Sequence, residues 1–249
     1  MTRVLSGVVL GAGALVAILF LPFLALRVLA IVIAALAASE YFAISGSDRS
    51  GIAGPLVACA IVGAGGFATL GFVGVTALVL GVLLVMARNA PIQSAAASAF
   101  ATVYIGMPLG MLTAVHGTFG AAATLMMIGT IVVSDSAQYY TGRAFGRHPL
   151  APTISPKKTI EGAIGGVVFG TLFVVGMGAY LFGLRPVNAV PFGLAVVVLG
   201  IIGDLFESRL KRAAGVKDSS SLIPGHGGVL DRIDALLFAA PAFYFYFTS

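Results

Sequence analysis

Apolar segments, each long enough to cross a bilayer, constrain the fold of this chain more than any other feature. The hydrocarbon core of a bilayer is about 30 Å thick, and a helix of roughly 20 apolar residues crosses it. The 249-residue sequence contains nine such segments, near residues 4–20, 22–44, 51–68, 70–87, 91–115, 119–143, 160–183, 188–211 and 230–248. We therefore predict an all-α fold, a polytopic integral membrane protein with about nine transmembrane helices.

The composition agrees with a lipid environment. Only 9% of the residues are charged and the mean hydropathy is +1.07, whereas a soluble domain contains roughly 25% charged residues. The 33 glycines allow helices to approach closely, as they do in membrane bundles. The first segment resembles a secretory signal, but further apolar segments follow at once, so we interpret it as the first spanning helix.

The distribution of basic residues predicts the orientation. With nine spans, 12 of the 14 lysines and arginines lie on the side of the N-terminus, and only Arg27 and Arg185 lie on the other side. The positive-inside rule then places the N-terminus and the active site in the cytoplasm and the C-terminus outside. We expect a multi-pass protein of the plasma (inner) membrane.

The acidic residues divide the chain near residue 118. Glu40 and Asp48 are the two acids before it, and the other seven follow it. We predict that residues 1–118 form an N-terminal transmembrane scaffold. Residues 119–249 are predicted to form the C-terminal catalytic region, with cytoplasmic loops at 143–160 and 212–230.

Two polar features precede the last pair of helices. Asp135 lies within an apolar helix, where an acid costs about 2.5–3.5 kcal/mol and normally faces the bundle interior or a water-filled cavity. In the loop 143–160, prolines prevent a helix, and Lys157 and Lys158 supply cations beside Thr159 and Glu161. The alternatives are an acid that only packs helices together and a basic loop that only fixes topology and contacts anionic lipid.

The stretch "GDLFESRLKRAAGVKDSSSLIPGHGGVLDRID", residues 203–234, is the most polar part of the chain. Asp204, Glu207 and Lys211 recur at helical spacing, which makes one helix face polar. Asp231 and Asp234 are three residues apart, which puts both carboxylates on one helix face. Carboxylates beside a glycine-rich loop suit a Mg²⁺ ion that also binds substrate phosphates. The alternative is a solvated interhelical loop.

These residue types indicate a reaction class. Carboxylates, basic groups and glycines without a plausible nucleophile–base pair favour phosphoryl or nucleotidyl transfer, which needs positioning and charge neutralisation. No glycine-rich GK[ST] motif occurs in the sequence, which excludes P-loop hydrolysis. A site at the level of the membrane indicates that one substrate is a lipid.

Residues 208–234, "SRLKRAAGVKDSSSLIPGHGGVLDRID", resemble the signature of the phosphatidate cytidylyltransferases (CDP-diacylglycerol synthases) without a departure. "SPKKTIEG" at 155–162 and the segment 135–139 resemble two further elements of that family, except that Gln138 stands where we expect a small residue. The first 118 residues contain no motif that we can match.

The resemblance implies that CTP and phosphatidate react to CDP-diacylglycerol and pyrophosphate, with Mg²⁺, at the cytoplasmic face. It also implies an all-helical membrane fold, a polar cavity open to cytoplasm and membrane lipid, and a homodimer, with no nucleic acid as partner. Asp204 and Asp231 are the predicted metal ligands. The predicted catalytic residues are Asp204, Asp231, Lys157, Lys158, Lys211, Asp218 and Asp234. The predicted substrate-binding residues are Ser155, Thr159, Glu161, Arg212, Lys217, His226, Gly227, Gly228, Arg232 and Asp135.

Three other functions predict different sequence features. A cytidylyltransferase for another lipid phosphate would share the loop motif and differ in its lipid groove. A transporter would distribute its polar residues through the bilayer, whereas here they gather at one face of the second half. A CDP-alcohol phosphotransferase needs two aspartate pairs in one stretch with a glycine and Ala-Arg, an arrangement that the sequence lacks.

Overall fold

The computed structural model describes residues 2–46 and 92–249. The predicted segments 51–68 and 70–87 lie outside the described residues, as does Asp48. The described elements, in chain order, are α1 (Thr2–Phe20), α2 (Phe23–Ser45), α3 (Ile92–Ala101), a π-helical segment (Thr102–Gly106), α4 (Met107–Phe145), β1 (Pro149–Ala151), β2 (Ser155–Thr159), α5 (Ile160–Phe182), α6 (Pro186–Ala213) and α7 (Leu230–Thr248).

The described ranges confirm the helical fold class. Within them, four helices are long and apolar enough to cross a membrane: α2, the run Ala99–Phe145, α5 and α6. Residues Ser6–Phe20 form a shorter apolar helix. The chain is therefore a multi-pass membrane protein, whereas the count of nine spans stays a prediction.

The run that ends with α4 contains a break at Gly120. Its 47 residues would measure about 70 Å as one straight helix, more than twice the thickness of a bilayer core. Gly120 has a φ of 75° and a ψ of −170°, which interrupts the helix and which glycine adopts without steric cost. The predicted segments 91–115 and 119–143 thus meet at a glycine break close to the predicted boundary.

The loop predicted at 143–160 contains a small antiparallel β-hairpin, which the sequence analysis did not anticipate. Strand β1 pairs with β2, with Pro149 opposite Thr159 and Ala151 opposite Ser155. Because α4 and α6 end where α5 and α7 begin, this hairpin and the loop 214–229 lie at one end of the bundle. Helices α4 to α7 pack against one another, and α2 packs against α4, α6 and α7. Tyr104 of the π-helical segment contacts Phe206 on α6 and Phe238 on α7.

Small residues set the close packing of α4 against α5. A Cβ atom on Gly165 would lie 2.7 Å from the Cβ of Thr141, and one on Gly162 would lie 2.8 Å from the backbone oxygen of Gln138. On its outer face, α5 exposes Val168, Phe169 and Leu172. This arrangement, with small residues inward and large apolar residues outward, is typical of a helix in lipid.

We expect Gly165→Ala to lower the thermal stability of the detergent-solubilised protein, because the added methyl group overlaps Thr141. Overpacking of this kind costs about 1–3 kcal/mol. The matched control is Gly176→Ala in the same helix, where a Cβ meets no atom within 4 Å. Glycine-to-alanine changes within a helix otherwise stabilise by about 0.5–1 kcal/mol. Equal unfolding temperatures for the two variants would contradict the packing described here.

Candidate functional site

A polar cavity of about 310 Å³ lies at the end of the bundle where α4 and α6 terminate and α7 begins. It brings together five predicted site aspartates from three helices and the loop 214–229. Its lining residues are Ile131, Asp135, Asp204, Lys211, Asp218, Asp231, Arg232, Asp234 and Ala235.

Two lysines pair with acids in the wall of this cavity. Lys158 on β2 forms an ion pair with Asp204 on α6, which attaches the hairpin to the cavity. The Nζ of Lys211 lies 2.5 Å from Oδ1 of Asp231 and 2.5 Å from Oε2 of Glu207, whose side chain is fully buried. Lys211 therefore neutralises two carboxylates, which burial would otherwise make costly.

Asp231 orders the loop that precedes α7. Its Oδ2 accepts hydrogen bonds from the backbone N–H of Ser219 at 2.9 Å, from the hydroxyl of Ser219 at 2.9 Å and from the N–H of Gly228 at 2.7 Å. Gly227 has a φ of 81°, and a Cβ there would lie 2.5 Å from this Oδ2. The space beside Gly227 is thus filled by the carboxylate of Asp231, whose side chain is only 4% exposed.

The other cavity aspartates have fewer partners. Asp135 accepts a hydrogen bond from Nε2 of Gln138 at 2.9 Å, and Asp234 accepts one from the N–H of Ala235 at 2.7 Å. Asp218 lines the cavity and forms no hydrogen bond with another described residue. These side chains leave carboxylate oxygens available to a ligand.

The donor set of the cavity fits a hard divalent cation, because carboxylate oxygens are the ligands that Mg²⁺ prefers. Among the described residues, however, no group of three His, Cys, Asp or Glu side chains is already arranged around one ion position. Asp204 and Asp231 are both paired with lysines. Ligation by Asp231 would require one of its partners to move, because both of its carboxylate oxygens are engaged, and the metal assignment stays a prediction.

Two predicted substrate-binding residues next to the hairpin already have structural partners. Thr159 caps α5, and its Oγ1 accepts the N–H of Gly162 at 3.1 Å. Glu161 accepts the N–H groups of Arg147 at 3.1 Å and His148 at 3.3 Å, and it lies 2.6 Å from Nδ1 of His148. Both residues hold the hairpin against α5. Their assignment to substrate binding stays a prediction.

The remaining predicted binding residues divide into anchored and available groups. Arg212 donates to the backbone oxygens of Ile154 at 3.3 Å and Val216 at 3.1 Å, and it links the hairpin to the loop 214–229. His226 Nδ1 lies 2.8 Å from the hydroxyl of Ser6 on α1. The side chains that are solvent-exposed or half-buried, with no hydrogen bond to another described residue, are those of Ser155, Lys157, Lys217 and Arg232.

A further helix, α2, contributes Glu40 to this end of the bundle, and the sequence analysis did not single out this residue. It is 6% exposed, and its carboxylate accepts hydrogen bonds from Ser219, Ser220 and the first N–H groups of α7. The signal was present in the sequence, because an acid within an apolar segment requires polar partners just as Asp135 does.

The sequence profile described as "Cytidylyltransferase family" matches residues 1–249. The chain belongs to the cytidylyltransferase family. Membership accounts for the signature at 208–234, whose charged residues supply most of the cavity lining.

Curated members of the cytidylyltransferase family share about two fifths of their aligned residues with this chain. A phosphatidate cytidylyltransferase of Thermotoga maritima is 40% identical over 161 residues, 62% of this chain and 60% of the relative. One of Haemophilus influenzae is 46% identical over 138 residues, 53% of this chain and 47% of the relative. One of Helicobacter pylori is 41% identical over 140 residues, 55% of this chain and 52% of the relative. The alignments thus span about half to three fifths of the relatives' length.

We expect Lys211→Met to destabilise this cytidylyltransferase-family chain strongly. The change leaves Glu207 and Asp231 without their shared cation, and breaking a buried ion pair costs about 3–5 kcal/mol. Lys157→Met is the matched control for stability, because Lys157 is exposed and pairs with no described residue. The measurement is thermal unfolding in detergent, and similar unfolding temperatures for both variants would show that Lys211 is not required for the packing of these acids.

Proposed function

We propose that the chain is a phosphatidate cytidylyltransferase that makes CDP-diacylglycerol and pyrophosphate from CTP and phosphatidate. The observation that supports this most is the cavity itself. The family signature supplies aspartates from the loop and α7 to one polar space, α6 adds Asp204, and Lys211 and Arg232 line the same space. The cavity lies at the end of an apolar bundle, where one substrate can enter from water and the other from the lipid bilayer.

The proposed reaction transfers a cytidylyl group between two phosphates. An oxygen of the phosphatidate phosphate attacks the α-phosphorus of CTP. The new P–O bond forms as the bond from the α-phosphorus to the oxygen bridging to the β-phosphorus breaks, and pyrophosphate leaves. Because the attacking phosphate is already an anion, no strong general base is needed, which agrees with a site made of charges rather than a nucleophile–base pair.

The main barrier to this reaction is the repulsion between two polyanions. We assign Lys157, Lys217 and Arg232 to the phosphates, since they are exposed and make no hydrogen bond to another described residue. Lys158 and Lys211 are paired with Asp204 and Asp231, so in this arrangement they orient the carboxylates of the cavity.

We propose Mg²⁺ as the cofactor because the cavity offers oxygen ligands of the kind it binds. Asp204 and Asp231 would hold it, with Asp135, Asp218 and Asp234 as further candidates. When bound, it neutralises negative charge on the phosphate oxygens in the transition state.

The setting of the enzyme is part of the proposal. The basic residues favour an active site on the cytoplasmic side of the plasma (inner) membrane, and the family resemblance favours a homodimer. A cytidylyltransferase for another lipid phosphate is the second candidate, because the signature involves the nucleotide end of the site and leaves the lipid open. Transport is less favoured, because the described acids of the second half gather at one end of the bundle.

The decisive experiment incubates the purified chain with cytidine-labelled CTP, phosphatidate and Mg²⁺ in mixed micelles. We expect label in the lipid extract and an equal amount of pyrophosphate, both lost on chelation of divalent ions. A parallel reaction with a prenyl phosphate separates the two lipid acceptors. If no label enters the lipid extract with any divalent ion, the proposal is wrong.

We expect Asp204→Asn to lower turnover at least about 100-fold, because the amide removes a negative oxygen from the proposed metal site. The matched control is Arg209→Gln, an exposed position one turn further along α6. Both variants should insert and purify as the unaltered chain does. Turnover of Asp204→Asn close to that of Arg209→Gln would remove Asp204 from the site.

A further inference from the structure

Glu40 is a buried carboxylate of the N-terminal half whose partners all lie in the C-terminal half. Its Oε1 accepts hydrogen bonds from the hydroxyl of Ser220 at 2.7 Å and from the N–H of Val229 at 2.9 Å. Its Oε2 accepts the hydroxyl of Ser219 at 2.9 Å and the N–H of Leu230 at 2.8 Å. Each oxygen thus receives one hydroxyl and one backbone donor.

Glu40 performs the capping that α7 lacks locally. The first N–H groups of a helix have no partner within the helix, and a Ser, Thr, Asp or Asn at the cap position usually accepts one of them. Here the cap position is Val229, which has no side-chain acceptor. An anion from α2 replaces it, at the end of the helix dipole where negative charge is favourable.

The contact continues from Glu40 to the cavity through Ser219. The Ser219 hydroxyl lies 2.9 Å from Oε2 of Glu40 and 2.9 Å from Oδ2 of Asp231. It therefore sits between two carboxylates, and its single proton is donated to one of them at a time. A Cβ on Gly228 would lie 2.6 Å from the carboxyl carbon of Glu40, so Glu40 fills this space. Asp231 and the adjacent Arg232 line the cavity, whereas Glu40 does not.

We propose that Glu40 is a positioning residue, by which the N-terminal half fixes Asp231 and Arg232 for the proposed cytidylyl transfer. The inference rests on the proposed function for its catalytic consequence. Glu40 acts through Ser219 and the first turn of α7, because its carboxylate lies outside the cavity lining.

The two oxygens of a carboxylate are essential to this role. In Glu40→Gln, the serine hydroxyls can reverse and accept from the new amide group, but a backbone N–H cannot reverse. One of the N–H groups of Val229 and Leu230 then faces an N–H₂ donor. The substitution therefore preserves size while removing a cap.

The test compares Glu40→Gln with Ser39→Ala, which lies next to Glu40, is exposed and bonds only to Leu36 of its own helix. Two quantities are measured in detergent: kcat and KM for CTP, and hydrogen–deuterium exchange of the amides of Val229 and Leu230. For Glu40→Gln we expect kcat to fall about 10- to 100-fold and these amides to exchange at least about tenfold faster. Ser39→Ala should change neither.

A double variant separates positioning from a general loss of stability. If Glu40 acts through Ser219, adding Ser219→Ala to Glu40→Gln should lower kcat by less than about twofold more, since coupled residues are not additive. Should Glu40→Gln fail to purify as a single species, Ser220→Ala removes one of the four hydrogen bonds, and it should shift kcat and exchange in the same direction by smaller factors.

Three results would overturn the inference: kcat of Glu40→Gln within about twofold of the unaltered chain, a fall in kcat with unchanged exchange at Val229 and Leu230, or full additivity with Ser219→Ala. The exchange measurement needs neither CTP nor lipid. An unaltered chain without cytidylyltransferase activity would therefore reject the proposed function, and unchanged exchange in Glu40→Gln would still reject the contact with α7, while faster exchange would support it.

Discussion

A carboxylate buried at the end of an apolar helix bundle needs donors, because an uncompensated charge in a medium of low dielectric constant is strongly unfavourable. In this structure the need is met by a connected set. Glu207 and Asp231 share the ammonium group of Lys211, Asp231 and Glu40 share the hydroxyl of Ser219, and Asp204 pairs with Lys158. The positions of α6, α7, the loop and the hairpin are linked through these contacts, so the geometry of the cavity depends on how its acids are neutralised.

The start of α7 is where this set meets the backbone. Two carboxylates, from Glu40 and Asp231, accept the N–H groups of Gly228, Val229 and Leu230, and the positive end of the helix dipole favours both. The glycines before α7 make room for these carboxylates, and their assignment to substrate binding stays a prediction. A first turn fixed in this way holds Asp231, Arg232 and Asp234 on a defined face, which is what a site that works by positioning charges requires.

Local patterns in the sequence predict much of this structure. The predicted segment 160–183 corresponds to α5, and the segment 230–248 corresponds to α7. These helix boundaries are predictable because glycine or charged residues flank each long apolar run. The three-residue spacing of Asp231 and Asp234 places both on the cavity wall, as expected for a helix. The hairpin was not predicted, since two short strands with prolines give no periodic signal. The contacts of Glu40 could not be derived either, because nothing local specifies a partner 179 to 190 residues away.

The charge of the cavity constrains how the proposed substrates could enter it. Five aspartates line the space against Lys211 and Arg232, which leaves a formal charge of −3. A nucleoside triphosphate or a phosphatidate headgroup would be repelled by such a surface at the short distances involved. Lys158, which pairs with Asp204, and the exposed Lys157 and Lys217 reduce the repulsion from outside the lining, and cations that accompany the substrates would offset the remaining charge. The charge of the chain's own side chains is thus a second argument, besides the family resemblance, for the proposal that a cation takes part.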